Sequence, residues 1–135
     1  LIAGAKSITR EKRVTERLKL TNNFYEDEFT CKCGCGEKSV DKELLIKLQL
    51  ARDEYGIPMQ VTSGLRCENW NTKMGGSDNS AHLSGKAVDI GVNSSGLRYD
   101  LVCIMLKFFK RIGIAKTFIH VDVDHMKSSP VIWTY

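Results

Sequence analysis

The fold can be read from two stretches of the chain, Ser80-Ala81-His82-Leu83-Ser84-Gly85-Lys86-Ala87-Val88-Asp89 and Phe118-Ile119-His120-Val121-Asp122-Val123-Asp124-His125. Each stretch combines a histidine and an acidic residue with a run of apolar residues that favour β structure, which predicts a short buried strand. Burying the carboxylate of Asp89 in such a strand is costly unless it is paired or binds a metal ion. The two stretches therefore predict two strands that carry polar chemistry.

The histidines and carboxylates of these stretches have the composition of a metal site. Side chains two residues apart on a strand share a face, so His120 and Asp122 point the same way. If the two strands are neighbours, His82, Asp89 and His120 can converge. Two imidazoles and one carboxylate suit a catalytic zinc ion, since three protein ligands leave the fourth tetrahedral position for water. Spacing alone leaves open the ordinary alternative of a hydrogen-bonded strand histidine beside a solvated aspartate.

A zinc site of this kind also needs a general base. Zinc lowers the pKa of its bound water toward ~7 and polarises a carbonyl, and a base must lie within hydrogen-bond reach of that water. Asp122 is the first candidate because it shares a strand face with His120, and His125 is the second.

Hydrophobic spacing outside these stretches predicts two main helices. Ser39 or Asp41 can cap the first helix, which runs to about residue 55 and ends at Gly56. The second helix is predicted over residues 97–111. Both helices carry apolar side chains at three- to four-residue spacing, which predicts one buried face on each. These side chains are Leu44, Leu45, Leu48, Ala51 and Tyr55 in the first helix, and Leu101, Ile104, Met105 and Phe108 in the second.

The remaining segments complete a small α+β domain. Short strands are predicted at residues 60–63, 88–92, 118–123 and 131–135. The glycine-containing segment 64–86 is predicted to be a long loop, and a loop of that length in a compact domain is usually functional. The expected architecture is α+β, with a small antiparallel sheet and two main helices.

Length and charge exclude several classes of protein. With 135 residues the chain has room for one domain, and it has no apolar run of the ~18–20 residues that a membrane span requires. Residues 1–20 hold six of the 20 basic and two of the 16 acidic residues, so 14 of each remain in residues 21–135. We therefore predict a basic N-terminal leader or arm over 1–20 and a neutral domain over 21–135. A neutral domain argues against nucleic-acid binding, whereas the arm suits a solvated leader or contact with an anionic cell wall.

Three motifs resemble those of the zinc peptidases that include D-alanyl-D-alanine carboxypeptidases, phage and bacterial peptidoglycan endopeptidases, and the Hedgehog signalling domain. Ser63-Gly64-Leu65-Arg66 with Asn71 and Gly75-Gly76 is similar to the SGYR…N…GG segment of that family. Residues 80–89 are similar to its SxHxxGxAxD segment, and residues 118–122 to its FxHxD strand. The resemblance extends from about residue 23 to residue 122 and implies a fold like that of Hedgehog and the D,D-peptidases.

The resemblance also implies roles for individual residues. It makes His82, Asp89 and His120 the ligands of one catalytic zinc ion. It makes Arg66 a substrate-binding residue, in keeping with the match between a guanidinium fork and a carboxylate. Ser80 would bind substrate or support His82.

One position departs from the motif of several branches of the family. Those branches place an acidic base three residues before the last histidine ligand, and Thr117 stands there in this chain. The base is then Asp122 or His125, as the strand pattern suggests. Asp122 can alternatively orient a metal ligand or bind substrate.

The implied function is zinc-dependent hydrolysis of peptidoglycan stem peptides, in cell-wall lysis or remodelling. Both a D,D-carboxypeptidase and an endopeptidase of the endolysin kind fit, and the basic arm favours the endopeptidase. We expect a monomer that acts outside the cytoplasm, whether secreted, periplasmic or delivered by a phage. The alternatives are a catalytically weak, zinc-stabilised binding module and the wall-penetrating domain of a phage structural protein.

The cysteines leave two interpretations open. Cys31, Cys33 and Cys35 alternate along the chain, and Cys67 directly follows Arg66. We expect a disulfide between this cluster and Cys67, as suits an oxidising compartment. A structural zinc ion on the same four thiolates is the alternative, less favoured because the spacing is CxCxC rather than CxxC. Two residues receive simpler predictions: Cys103 is expected to be a buried free thiol, and Trp133 a packing residue.

Overall fold

In the computed structural model, which describes residues 16–135, two long helices pack against a five-stranded sheet. The helices are α1 (Lys42–Tyr55), α2 (Glu68–Lys73) and α3 (Ser95–Phe108). The strands are β1 (Val61–Ser63), β2 (Ala87–Gly91), β3 (Arg111–Ile114), β4 (Phe118–Asp122) and β5 (Val131–Thr134). This arrangement confirms the predicted α+β class with two main helices. None of the helices in the described part of the chain is long and apolar enough to cross a membrane.

The sheet is mixed rather than wholly antiparallel. Its strand order is β1-β2-β4-β3-β5, and three of its four pairings are antiparallel. The fourth pairing, between β3 and β5, is parallel. After β4 the chain reverses through residues 123–130 and reaches the far side of β3, so β5 runs in the same direction as β3. The prediction of an antiparallel sheet was therefore wrong at this edge.

Strand β3 lies where the sequence predicted the end of a helix. Helix α3 stops at Phe108 because Phe109 is extended, with φ −122° and ψ 145°, and is buried. The next residues pair with β4 on one side and β5 on the other. A four-residue strand of this kind is stabilised by its neighbours in the sheet, and local sequence carries little of that information.

The two long helices form as their sequences predict. The Asp41 side chain caps α1 by accepting hydrogen bonds from the backbone N–H groups of Glu43 and Leu44. Gly56 ends the helix in the left-handed conformation, with φ +77°. The predicted apolar faces of the two long helices pack with the apolar residues of the sheet in one hydrophobic core. The fully buried residues of this core include Leu44, Leu48, Leu101, Met105, Val88, Ile90, Ile119 and Val121.

Strand alternation then decides where the polar residues go. Val88 and Ile90 of β2 belong to the core shared with the helices, so Asp89 between them points to the opposite face of the sheet. In β4, Ile119 and Val121 are core residues in the same way. The residues that alternate with them, His120 and Asp122, therefore lie on the same face as Asp89.

The segment 64–86 contains more structure than the predicted loop. It includes α2 and a 3-10 turn at Ala81–Ser84. Gly85 ends this turn with φ +70°, and a Cβ atom there would lie 2.6 Å from the backbone oxygen of Ser39. Gly85 therefore packs directly against the backbone that precedes α1.

Two predictions about cysteines do not hold. Cys103 is exposed, not buried, because α3 buries Leu101 and Met105 and a residue two positions from Leu101 faces the other side of the helix. All five cysteines are free. The Sγ atom of Cys33 lies 3.5 Å from that of Cys31 and 3.7 Å from that of Cys67, so the expected disulfide is not formed.

Most of the predicted basic arm, residues 1–15, lies outside the described residues. In the part that is described, Arg17 forms an ion pair with Asp27 at 2.6 Å and its guanidinium lies over the ring of Tyr25. The backbone oxygen of Leu18 accepts a hydrogen bond from Glu26. The division of the chain at residue 20 stays a prediction.

Candidate metal centre

The register of β2 and β4 brings the predicted ligands together. Asp89 and His120 are directly paired across the two strands, and His82 reaches them from the 3-10 turn that precedes β2. The Oδ1 atom of Asp89 lies 2.9 Å from His120 Nδ1 and 3.3 Å from His82 Nε2. One potential ligand atom from each of the three residues lies within 4.8 Å of the others, and all three residues are buried. We call these three residues the His–Asp–His cluster.

Local hydrogen bonds set the orientation of His82. The hydroxyl of Ser80 accepts a hydrogen bond from the backbone N–H of His82, which supports the turn. Nδ1 of His82 lies 2.7 Å from the backbone oxygen of Gly64, and because a carbonyl only accepts, Nδ1 carries the proton. Nε2 is then left with its lone pair on the side of Asp89, which is the tautomer that a metal ligand needs. Ser80 thus contacts the backbone of His82, and its expected role in the site stays a prediction.

His120 lies between two carboxylates. Its Nδ1 faces Asp89, and its Nε2 lies 2.8 Å from Oδ2 of Asp122. Burial lowers the pKa of His120, but hydrogen bonds to Asp122 and Asp89 outweigh burial and raise it above the usual value. Nδ1 is the nitrogen that shares a carboxylate oxygen with His82, so Nδ1 is the atom placed to bind a metal ion. Asp122 then holds the remaining Nε2–H, as carboxylates commonly do for metal-bound histidines.

Both carboxylate oxygens of Asp122 are engaged. Oδ2 faces His120, whereas Oδ1 accepts hydrogen bonds from Arg111 Nε at 2.8 Å and from the backbone N–H of Asp124 at 3.1 Å. Burial raises the pKa of Asp122, but these three donors outweigh it and hold the pKa below the usual value. A carboxylate in this state is a weak proton acceptor. The geometry therefore favours the alternative in which Asp122 orients a metal ligand.

Arg66 holds Asp89 from the other side. Its Nη2 lies 3.4 Å from Oδ2 of Asp89, while Nε donates to Ser63 Oγ and Nη1 to Asn71 Oδ1. Burial raises the pKa of Asp89, but His120 and His82 outweigh it and lower the pKa well below the usual range. Asp89 is thus a fixed, ionised carboxylate. The predicted contact of Arg66 with a substrate carboxylate stays a prediction.

His125 and Thr117 lie apart from the His–Asp–His cluster. The side chain of His125 is 74% exposed and its Nε2 lies 2.7 Å from Oε1 of Glu43. Thr117 is exposed and lines a neighbouring cavity. Of the two candidates for a general base, the structure brings Asp122 to the cluster and leaves His125 outside it.

A cavity of about 930 Å³ opens onto the His–Asp–His cluster. Two residues that line it, Arg111 and Trp133, were not predicted from the sequence to belong to the site. The ring centroids of Trp133 and His120 lie 5.3 Å apart. The guanidinium of Arg111 lies over the Trp133 indole. Trp133 pairs with Gly113 across β5 and β3, where a Cβ atom would lie 2.7 Å from the indole. Glycine therefore allows the indole to cross β3. The one sequence feature that pointed to this position is that Val131, Trp133 and Tyr135 are two residues apart on a predicted strand and therefore share a face.

The cluster fits a zinc ion. Nitrogen and oxygen ligand atoms that lie about 2.0–2.1 Å from a tetrahedral zinc ion are roughly 3.3 Å from each other. The distances from Asp89 Oδ1 to His120 Nδ1 and His82 Nε2, 2.9 Å and 3.3 Å, are close to that value. Two imidazole nitrogens and one carboxylate oxygen are also a common donor set of catalytic zinc sites, and each donor here has a hydrogen-bond partner that orients it.

A comparison with protein families agrees with this geometry. Residues 22–122 match the family model described as Peptidase M15, whose members are zinc-dependent. The matched region includes the whole His–Asp–His cluster together with Arg66 and Asp122. No curated protein matches the chain. Because the family model covers most of its length, the chain belongs to the peptidase M15 family.

Proposed function

We propose that this chain is a zinc-dependent peptidase that cuts stem peptides of peptidoglycan outside the cytoplasm, as a D,D-carboxypeptidase or an endopeptidase. One observation carries the proposal: the buried His–Asp–His cluster lies in the wall of a peptide-sized cavity, in a chain of a zinc peptidase family. A zinc ion bound there would polarise the scissile carbonyl and lower the pKa of a water molecule. His82, Asp89 and His120 would hold the ion.

The surrounding residues have distinct tasks in this mechanism. Asp122 keeps the proton of His120 on Nε2, so that Nδ1 stays available as a ligand. Arg66 fixes the second oxygen of Asp89. Arg111 fixes Asp122, and its stacking on Trp133 closes one side of the cavity. Each ligand is thus held before substrate arrives, which lowers the cost of organising the site.

The charges at the cavity suit an anionic peptide. Arg66, Arg111 and Lys127 line it, together with two carboxylates, Asp89 and Asp122. Once Asp89 binds a cation and Asp122 pairs with His120 and Arg111, the balance in the cavity is positive. Stem peptides carry free carboxylates, and guanidinium groups recognise carboxylates well.

The test is digestion of purified peptidoglycan, with the products separated by mass. We expect cleavage by the zinc-loaded chain and its loss in His120→Ala, with Cys103→Ser as an exposed control variant. Free D-alanine would identify a carboxypeptidase, whereas new amino termini without free alanine would identify an endopeptidase. A zinc-loaded, folded chain that cuts no type of peptidoglycan would refute the proposal.

A second candidate is a zinc-stabilised binding module. It is favoured by the engagement of both Asp122 oxygens and by the exposed position of His125 away from the cluster. This candidate predicts zinc binding and affinity for stem peptides with no release of amines. The same digestion separates the two candidates when it is combined with a peptide-binding measurement.

A further inference from the structure

Four cysteine sulfurs converge next to Arg66, which Cys67 directly follows in the chain. The Sγ atoms of Cys31, Cys33, Cys35 and Cys67 all lie within 4.8 Å of one another. The two distances from Cys33, 3.5 Å and 3.7 Å, are too long for the disulfide length of about 2.05 Å. Four thiolates at about 2.3 Å from a tetrahedral zinc ion lie roughly 3.8 Å apart. The observed spacing therefore matches a metal–thiolate site.

Each of the four sulfurs also accepts a backbone hydrogen bond. The donors are the N–H of Cys67 to Cys31, of Cys35 to Cys33, of Glu37 to Cys35 and of Trp70 to Cys67, at 3.4–3.5 Å. Backbone N–H groups that point at the sulfurs orient the four side chains, as the hydrogen-bond partners of metal ligands do.

We infer that Cys31, Cys33, Cys35 and Cys67 bind a second zinc ion, whose role is structural. Four protein ligands leave no open position for water, which is the mark of a structural rather than a catalytic zinc site. Binding displaces the thiol protons into solvent and converts the free energy of metal binding into folding stability. The inference concerns a site separate from the His–Asp–His cluster and does not depend on the proposed activity.

The position of the four-cysteine site explains what it would stabilise. The segment that carries Cys33 and Cys35 is exposed and contains Gly34 and Gly36, both with positive φ, so apolar packing contributes little to it. Cys67 directly follows Arg66, whose backbone N–H donates to the backbone oxygen of His82. A metal ion on the four sulfurs would therefore tie an exposed loop to the segment that orients the zinc ligands of the cavity.

Zinc content and thiol chemistry test this inference directly. The full chain, purified with reductant and zinc and then desalted, should hold about two zinc ions. His120→Ala should retain about one zinc ion. A mercurial reagent should release this ion as it blocks the thiols of the four-cysteine site. Cys33→Ser should lose that ion, whereas Cys103→Ser, a change of the same kind at an exposed cysteine, should keep both.

Cobalt substitution supplies a spectroscopic signature. Cobalt bound by four thiolates shows sulfur-to-metal charge-transfer absorption in the near ultraviolet, which the His–Asp–His cluster cannot produce. The band should be present in His120→Ala and absent in Cys33→Ser. If Cys33→Ser does not fold, two measurements on His120→Ala are sufficient to test the inference. They are the charge-transfer band of the cobalt form and the release of zinc by the mercurial reagent.

Three results would overturn the inference. They are a metal-free His120→Ala chain that is folded, iron rather than zinc on the four sulfurs, and disulfides among these cysteines after purification with reductant. Loss of peptidase activity has no bearing on any of them. A failure of the proposed function is therefore distinguishable from a failure of the four-cysteine site.

Discussion

Substitution of Asp122 by asparagine tests how the proposed zinc site is organised. Three donors point at the Asp122 carboxylate: His120 Nε2–H, Arg111 Nε–H and the backbone N–H of Asp124. Asparagine offers one accepting oxygen and one donating NH₂ group. If the oxygen faces Arg111 and Asp124, the NH₂ group faces His120 and requires Nε2 to accept.

The proton of His120 then moves to Nδ1, which is the nitrogen placed to bind the metal. Loss of a carboxylate that orients a metal ligand costs 10–100-fold in metal affinity, or about 1.4–2.8 kcal/mol. We expect a loss of that size for Asp122→Asn, measured by competition with a chromophoric chelator at neutral pH. Asp124→Asn is the matched control, because its carboxylate pairs with Lys127 and does not contact a ligand.

The opposite result would refute this reasoning. If Asp122→Asn keeps zinc affinity within about threefold while activity falls 10²-fold or more and the acidic limb of the pH–rate profile is lost, Asp122 is the general base. Its role in orienting His120 would then be secondary. Measuring affinity and rate on the same preparation separates the two roles.

Three further substitutions test the electrostatics and packing of the domain. Burial raises the pKa of Asp41, but Lys86 and the backbone N–H groups of α1 outweigh it and lower the pKa. Asp41 thus stabilises the fold above its unfolded pKa of about 3.9, and the contribution is lost as pH falls through the folded pKa. Asp41→Asn keeps the helix cap but removes this charge, so its deficit in free energy of unfolding at pH 7 should shrink as the pH falls below about 4. Gly113→Ala should cost about 1–3 kcal/mol and alter tryptophan fluorescence, because the new methyl group overlaps the indole of Trp133. Leu48→Ala should cost about 2–5 kcal/mol in urea unfolding, because Leu48 is fully buried.

Each of these expectations has a control or a contradicting result. A deficit of Asp41→Asn that stays constant from pH 7 to pH 3 would show that the charge is not its cause. Unchanged stability and fluorescence in Gly113→Ala would show that β3 and β5 are not packed as described. Leu50 is half exposed on the same helix, so Leu50→Ala should cost far less than Leu48→Ala.

Much of the fold was predictable because it depends on local interactions. The start of α1 at Asp41 and its end at Gly56 follow from capping chemistry, which involves residues within one turn. The buried faces of α1 and α3 follow from three- to four-residue spacing. Strand alternation likewise placed His120 and Asp122 on one face, and the motif resemblance identified their neighbours in the candidate metal centre.

The interpretations that failed concern the relation between distant segments. Cys103 was expected to be buried, yet the orientation of α3 exposes it. The position of His125 likewise depends on the turn after β4, which directs it to Glu43, and its role as a base stays a prediction. The cysteine cluster was expected to form a disulfide, and the structure instead holds four free sulfurs around a common centre.

The amino-acid sequence alone thus predicted the α+β class, the boundaries of the two long helices within a few residues, and the three candidate ligands. These features depend on capping, on periodicity and on residues within a motif. Tertiary structure alone decided the parallel pairing of β5 with β3, the contact of Trp133 with His120, and the hydrogen bond of Arg111 to Asp122. Strand pairing joins segments far apart in the chain, and the free energy that selects a partner comes from packing and hydrogen bonds that exist only after the chain has folded.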